Sequence, residues 1–161
     1  MVVHSAGILL YRLTDTGDPE VWIAHMGGPF WAAKQAAAWS IPKGEYEPGD
    51  DPFVAARREF EEEIGVPAPD AQYADWGEFR QPSGKVVTVF AAETDFAVDR
   101  LVSNTFTIEW PKGSGVFREF PEVDDARWVG LTEARVNLVR GQLAVLDVLS
   151  ERLRAEGRFG G

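Results

Sequence analysis

Apolar residues along the first part of the chain come in runs of short period that break at clusters of turn formers. Residues 2–13 (VVHSAGILLYRL) and 20–25 (EVWIAH) read as two strands joined around Asp15-Thr16-Gly17-Asp18-Pro19, the composition of a hairpin connection. Further runs rich in β-branched and aromatic residues cover 73–80, 85–93, 105–110 and 126–129, punctuated by Pro, Gly and Asp. Between these strands the period changes. Phe53, Ala56, Phe60 and Ile64 fall at i, i+3, i+7 and i+11, which lines one side of a helix for a core. Asp51 predicts its N-cap, Pro52 suits its first turn, and Gly65 followed by Pro67 predicts its stop. A second helical region is predicted beyond Leu131, with Thr132 capping a short helix and Leu143, Leu146, Leu149 and Leu153 forming the core stripe of a longer one. The pattern is weakest over 101–120, where Lys112-Gly113-Ser114-Gly115 predicts a turn or hairpin and no separate domain.

The other side of the first helix carries chemistry. Residues 57–63 read RREFEEE, and at about 100° per residue Glu59, Glu62 and Glu63 share one helical face. Like charges that close repel unless a cation sits among them. Hard divalent ions such as Mg²⁺ take oxygen ligands and commonly hold substrate phosphates beside one or two carboxylates, so the constellation points to metal-dependent phosphate chemistry. On these three glutamates alone, a solvated acidic face paired with neighbouring cations stands level with that reading. Ahead of the helix, Pro42-Lys43-Gly44 and Glu47-Pro48-Gly49-Asp50 predict a turn-rich loop whose glycines permit close approach to a ligand and whose carbonyls can face a metal. Lys43 is either a point charge for a phosphate or an ordinary solvated lysine.

With its flanks, this stretch resembles the signature of the Nudix hydrolase family: Gly, five residues, Glu, seven residues, then Arg-Glu-apolar-x-Glu-Glu-x-Gly-apolar. The matching residues are Gly44, Asp50, Arg58, Glu59, Phe60, Glu62, Glu63, Gly65 and Val66. Asp50 departs from the pattern, keeping the charge on a side chain one methylene shorter. The resemblance implies an α/β fold, an α/β/α sandwich with a central mixed β-sheet, as a single domain over residues 1–161. It implies Mg²⁺, or Mn²⁺ in its place, on Glu59, Glu62 and Glu63 with the Gly44 carbonyl as a further ligand, and Arg58 orienting a glutamate through an ion pair. Arg57 is structural or solvent-facing, and Asp50 supports the loop and the helix. The implied reaction is hydrolysis of a phosphoanhydride in a nucleoside triphosphate or other nucleoside diphosphate derivative. That chemistry needs charge neutralisation on the phosphates and a positioned water, with a carboxylate as general base.

Composition bounds the alternatives. The 161 residues, 45% hydrophobic and 12% aromatic, suffice for one sizeable core. A net charge of −10 argues against broad adhesion to nucleic acid or to an anionic membrane, and a polyphosphate substrate then needs local cations. With no cysteine, disulfides and thiolate catalysis are excluded, as is an isoprenoid diphosphate isomerase of this fold that relies on a catalytic Cys. No apolar run is long enough to span a bilayer and residues 1–11 lack a secretory pattern, so cytoplasm is the default expectation; self-association into a homo-oligomer stays open. A non-catalytic nucleotide-binding or regulatory module of the same fold is the alternative function, against which the intact glutamates argue.

Substrate choice falls to residues outside the signature. Gly27-Gly28-Pro29-Phe30-Trp31, with Lys34 and Trp39, is either a loop that stacks a base and binds phosphate or a packed loop. His25 is either a phosphate contact or an ordinary hydrogen-bonded histidine. Glu119 and Glu122 are candidates for an added metal ligand or base, or else acidic surface. Pro82 stands 16 positions beyond Val66, near where a proline marks ADP-ribose-hydrolysing members, yet Gln81-Pro82-Ser83-Gly84 is also an ordinary turn. The tyrosine that often marks dinucleoside-polyphosphate hydrolases is missing near position 84.

Overall fold

Strand β1 (His4–Leu13) is buried without a break from residue 5 to residue 10, instead of alternating, because both of its faces are covered. In the computed structural model, which describes residues 2–159, it turns through the predicted connection into β2 (Pro19–Met26), with Leu10 opposite Trp22. Its other neighbour, β6 (Val86–Glu93), runs parallel to it from His4 opposite Val86 to Tyr11 opposite Glu93. An edge hairpin joins β6 antiparallel to β5 (Ala74–Arg80), and β9 (Val123–Gly130) lies antiparallel to β2. Two short strands, β3 (Trp39–Ser40) and β4 (Lys43–Glu45), complete a seven-stranded mixed sheet by pairing with β2 and β1 respectively. The ends of the expected 1–161 domain, Met1, Gly160 and Gly161, lie outside the described residues.

Strand alternation then sorts the core into two layers. Ala6, Ile8, Leu10, Trp22 and Phe90 face α1 (Pro52–Ile64), which answers with Ala55, Ala56, Phe60 and Ile64. Leu9, Val21, Ile23, Val87 and Val89 face the opposite way, onto α2 (Leu131–Asn137) and α3 (Leu143–Ala155), through Ala134, Leu146, Leu149 and Leu153. This is the α/β/α sandwich with a central mixed sheet. Each large side chain taken from water, such as Phe60 or Leu149, contributes about 1.5–3 kcal/mol.

Both ends of α1 are tied down. Asp51 Oδ1 accepts hydrogen bonds from the Phe53 and Val54 amides at 2.8 and 3.2 Å, the predicted N-cap. At the far end Gly65, at φ 96°, reverses the chain and donates to the Glu61 carbonyl. The carbonyls beyond have no intrahelical partner, and residues 102–104 supply one: Val102 N–H donates to Ile64 O at 2.9 Å and Asn104 N–H to Glu62 O at 2.8 Å.

Three expectations need correction. Pro42-Lys43-Gly44 is not a free loop, since Gly7, where a Cβ would stand 2.9 Å from Lys43 Cβ, lets β4 lie close against β1. Thr132 does not cap the short helix; Gly130 holds the N-cap position of α2 and contributes no side chain. The final strand begins at Val123 rather than at residue 126. Lys112 to Gly115 do form the predicted hairpin tip, between β7 (Thr105–Glu109) and β8 (Phe117–Pro121), which pair only with each other.

Replacing Asp51 tests the cap. Asp51→Ala should lower the free energy of urea unfolding by about 1 kcal/mol while Asp51→Asn, an equally good cap, stays near the parent; equal losses in both would mean that the carboxylate acts through charge instead.

Candidate active site

The helical spacing places Glu59, Glu62 and Glu63 on the side of α1 that looks toward β4, while Glu61 is exposed. Glu59 lies against the Gly44 backbone: a Cβ at that position would sit 2.1 Å from the Glu59 carboxyl carbon and would push that carboxylate aside. Arg58 Nη2 approaches Glu59 Oε1 at 3.6 Å, the ion pair expected of it. Glu63 sits beside Lys43, whose ammonium and main chain both favour the ionised carboxylate. A fourth carboxylate arrives from the junction of β8 and β9, where Glu122 comes within the field of Glu62, Glu59 and Glu63. Glu119 does not join them. It stands exposed on β8 opposite Thr107.

Proton affinities record burial first and this crowding second. Burial pushes the Glu63 carboxyl up to about 8, because lost hydration outweighs the attraction of Lys43, and Glu122 and Glu59 push the same way. Glu59 is raised by burial and then by Glu62, against the pull of Arg58. Glu122 is raised by burial and by Glu62. Burial lowers the Lys43 ammonium, and Glu63 pulls the other way. The glutamates also occupy the C-terminal half of α1, where the helix dipole disfavours anions and the last turn has no basic residue. Among the described residues, no three acidic or imidazole groups close into a ready-made metal cage. The carboxylates are gathered yet held apart, as like charges must be. Carboxylate and carbonyl oxygens are the hard donors that suit a small divalent cation, and the raised proton affinities come first from burial and only then from the neighbouring carboxylates.

Other candidates resolve differently. Trp39 is 1% exposed and donates through Nε1 to Gln35 Oε1 at 3.0 Å, so it belongs to the core and offers no free face. Trp31 packs its ring partly against the same core, with Lys34 Nζ 5.6 Å from the ring centre. His25 is buried, with Nδ1 2.6 Å from Asp124 Oδ1 and Nε2 2.7 Å from the Lys34 carbonyl, which is the ordinary hydrogen-bonded role. Asp50 accepts from the Glu47 amide at 3.2 Å and braces the loop before α1. Arg57 lies over the Phe53 ring at 5.9 Å, a structural position. Pro82 sits in the exposed β5–β6 turn closed by Gln81 N–H to Lys85 O at 2.7 Å. The sequence marked the strand at 105–110 and the turn at Lys112 to Gly115, but not that this β7–β8 hairpin adjoins the site through Asn104 and Glu122.

The NUDIX domain family model matches residues 3–149, and the chain belongs to that family. No curated protein matches it significantly. Among solved structures it is similar to a C. elegans Ap4A hydrolase in a binary complex, at 22% identity over 96% of this chain and 99% of that one, with a TM-score of 0.65. It is also similar to the NUDIX domain of Shewanella oneidensis NrtR complexed with ADP ribose (16% identity, 95% and 89% covered, TM-score 0.62). A third is the Nudix hydrolase RenU from M. smegmatis (22% identity, 94% and 86% covered, TM-score 0.60). At these identities the likeness is one of fold. Family membership, with Glu59, Glu62 and Glu63 of the signature in place, makes the chain a Nudix-type pyrophosphohydrolase, a hydrolase of acid anhydrides.

The Glu63 shift has a measurable consequence. Between its ordinary value of 4.5 and about 8 the folded protein keeps a proton that the unfolded chain releases, so this group's contribution to stability is present at low pH and lost as pH rises through 8. In chelator-treated protein the melting temperature should therefore fall from pH 5 to pH 8.5, and Glu63→Gln should flatten that fall. Parallel profiles for parent and variant would show that Glu63 is not held protonated.

Proposed function

We propose that this chain hydrolyses a phosphoanhydride bond in a nucleoside triphosphate or another nucleoside diphosphate derivative, with Glu59, Glu62, Glu63 and the Gly44 carbonyl holding Mg²⁺ or Mn²⁺. The observation that carries this reading is the gathering of four carboxylates from two elements in a partly dry site that weakens the fold. When bound, the cation supplies charge neutralisation on the phosphates and activation of water, the nucleophile. The side chains do the rest. Arg58 fixes the Glu59 carboxylate and Gly44 gives it room to lie along β4. Lys43, drawn toward neutrality by burial against the attraction of Glu63, presents a compact donor to a phosphate oxygen. Glu122 comes from a separate loop, and its raised proton affinity suits it to take the proton of the attacking water as general base. The whole chain, residues 1–161, acts as one domain in this scheme.

A nucleotide panel with and without Mg²⁺, read by the phosphate products released, tests the reading. Metal-dependent turnover supports it; nucleotide binding with no product under any condition would instead identify a regulatory module. Glu62→Gln keeps size and hydrogen-bonding capacity while removing one charge. Turnover should drop by about a hundredfold or more, beyond the 10- to 100-fold typical of groups that only orient a ligand, at an unchanged melting temperature. Parent-like turnover in this variant would contradict the assignment.

A further inference from the structure

Strand β9 carries one residue too many where it passes the end of β2. His25 pairs with Asp125 and Met26 with Val123, so Asp124 is the extra residue of a β-bulge. A bulge leaves its residue out of the ladder and re-aims the side chain. Here Asp124 turns onto the ring of His25, which is 4% exposed, with Oδ1 2.6 Å from Nδ1. Just ahead of the bulge Val123 enters the core layer that faces α1. Strand side chains alternate between faces, so a ladder without the extra residue would slide residues 121–123 by one place along β2 and turn Val123 to the opposite face, taking Glu122 with it.

The protons of the His25–Asp124 pair can be counted. The Lys34 carbonyl, 2.7 Å from Nε2, only accepts, so Nε2 carries a hydrogen. A bare Nδ1 would then set its lone pair against an anionic carboxylate, and so short a contact requires a second proton between ring and carboxyl. The pair is therefore neutral as a whole. Removing Asp124 strands Nδ1 without a partner in the core, where the ring already meets Trp39 edge-on at 5.0 Å and has no way out to water.

Glu122 hangs on this junction. Its carbonyl accepts from Gly27 N–H at 2.8 Å, a bond that lies two residues after His25 on one strand and two residues before Asp124 on the other. The strands touch there, since a Cβ on Gly27 would lie 2.0 Å from the Pro121 carbonyl oxygen. From the opposite side Glu122 N–H donates to Asn104 O at 2.8 Å and Val123 N–H to Ser103 Oγ at 3.0 Å. The bond from His25 to the Lys34 carbonyl also ties the 27–38 connection, and with it Gly27, back to β2.

We propose that His25 and Asp124 are positioning residues for the reaction: clasped together, they hold the bulge that sets Glu122 beside the carboxylates of α1. The inference rests on the reading of Glu122 as general base in a phosphoanhydride hydrolase, and both residues act through Glu122 without touching the substrate. Their leverage comes from distance, because a misplacement of about 1 Å in a reacting group costs on the order of a hundredfold in rate.

Steady-state kinetics on a nucleoside triphosphate with Mg²⁺ test it. Asp124→Ala should lower kcat by roughly ten- to a hundredfold with KM near that of the parent. Asp124→Asn should restore the parent kcat, because its amide N–H donates to a neutral Nδ1 while Nε2–H still meets the Lys34 carbonyl. Glu122→Gln should lower kcat by roughly a hundred- to ten-thousandfold, and adding Asp124→Ala to it should cost little more, since the group that Asp124 places is gone. If Asp124→Ala does not fold by circular dichroism, Asp124→Ser, one bond shorter than the reach to the ring, carries the same expectations. Parent-like kcat in the folded Ala or Ser variant, an Asn variant no better than they are, or losses that multiply in the double variant, from a parent that turns the nucleotide over, overturns the positioning role alone. Parent-like kcat in Glu122→Gln overturns the general base and the positioning role together, and a parent that neither binds nor hydrolyses nucleotides overturns the hydrolase reading with both.

Discussion

Carboxylates within one another's field cannot all stay ionised in a partly dry site unless a cation joins them, so each either takes a proton or is held at a distance. Glu59, Glu62, Glu63 and Glu122 meet both outcomes, with proton affinities raised at the first, third and fourth and no closed cage among them. Much of the surrounding structure serves to keep them close despite this. Gly44 removes the side chain that would displace Glu59, Gly7 lets β4 approach β1, and residues 102–104 satisfy the carbonyls at the acidic end of α1. An acidic face of no use would relax outward into solvent.

The same bonds that hold the acidic end of α1 also anchor the hairpin. Through Asn104 and Glu122, the hairpin is fixed to the helix proposed to bind the phosphates. The hairpin and the acidic end of α1 are thereby kept in register by backbone hydrogen bonds.

Local signals were legible and long-range ones were not. Asp51, Pro52, Gly65 and the stripe ending at Ile64 mark α1 because caps and helical period are properties of neighbours in sequence, and the Glu59, Glu62 and Glu63 face follows from the same geometry. The leucines of α3 were equally plain, with Leu146, Leu149 and Leu153 fully buried. By contrast, Lys43 and Gly44 carry turn chemistry and became a strand because β1 lies beside them, a partner distant in sequence. Glu119 and Glu122 look alike on paper, and which of them reaches the site depends on where β8 ends and the chain bends into β9. Trp39 read as a loop aromatic, yet its two-residue strand pairs with β2 and carries the ring into the core.

The most direct measurement is an anomalous-scattering map from crystals grown with Mn²⁺. The account predicts a peak lying among the carboxylates of Glu59, Glu62 and Glu63 and the carbonyl of Gly44, with those side chains drawn inward. A crystal in which Mn²⁺ binds elsewhere, or in which these three carboxylates point apart with no peak between them at saturating metal, would contradict it.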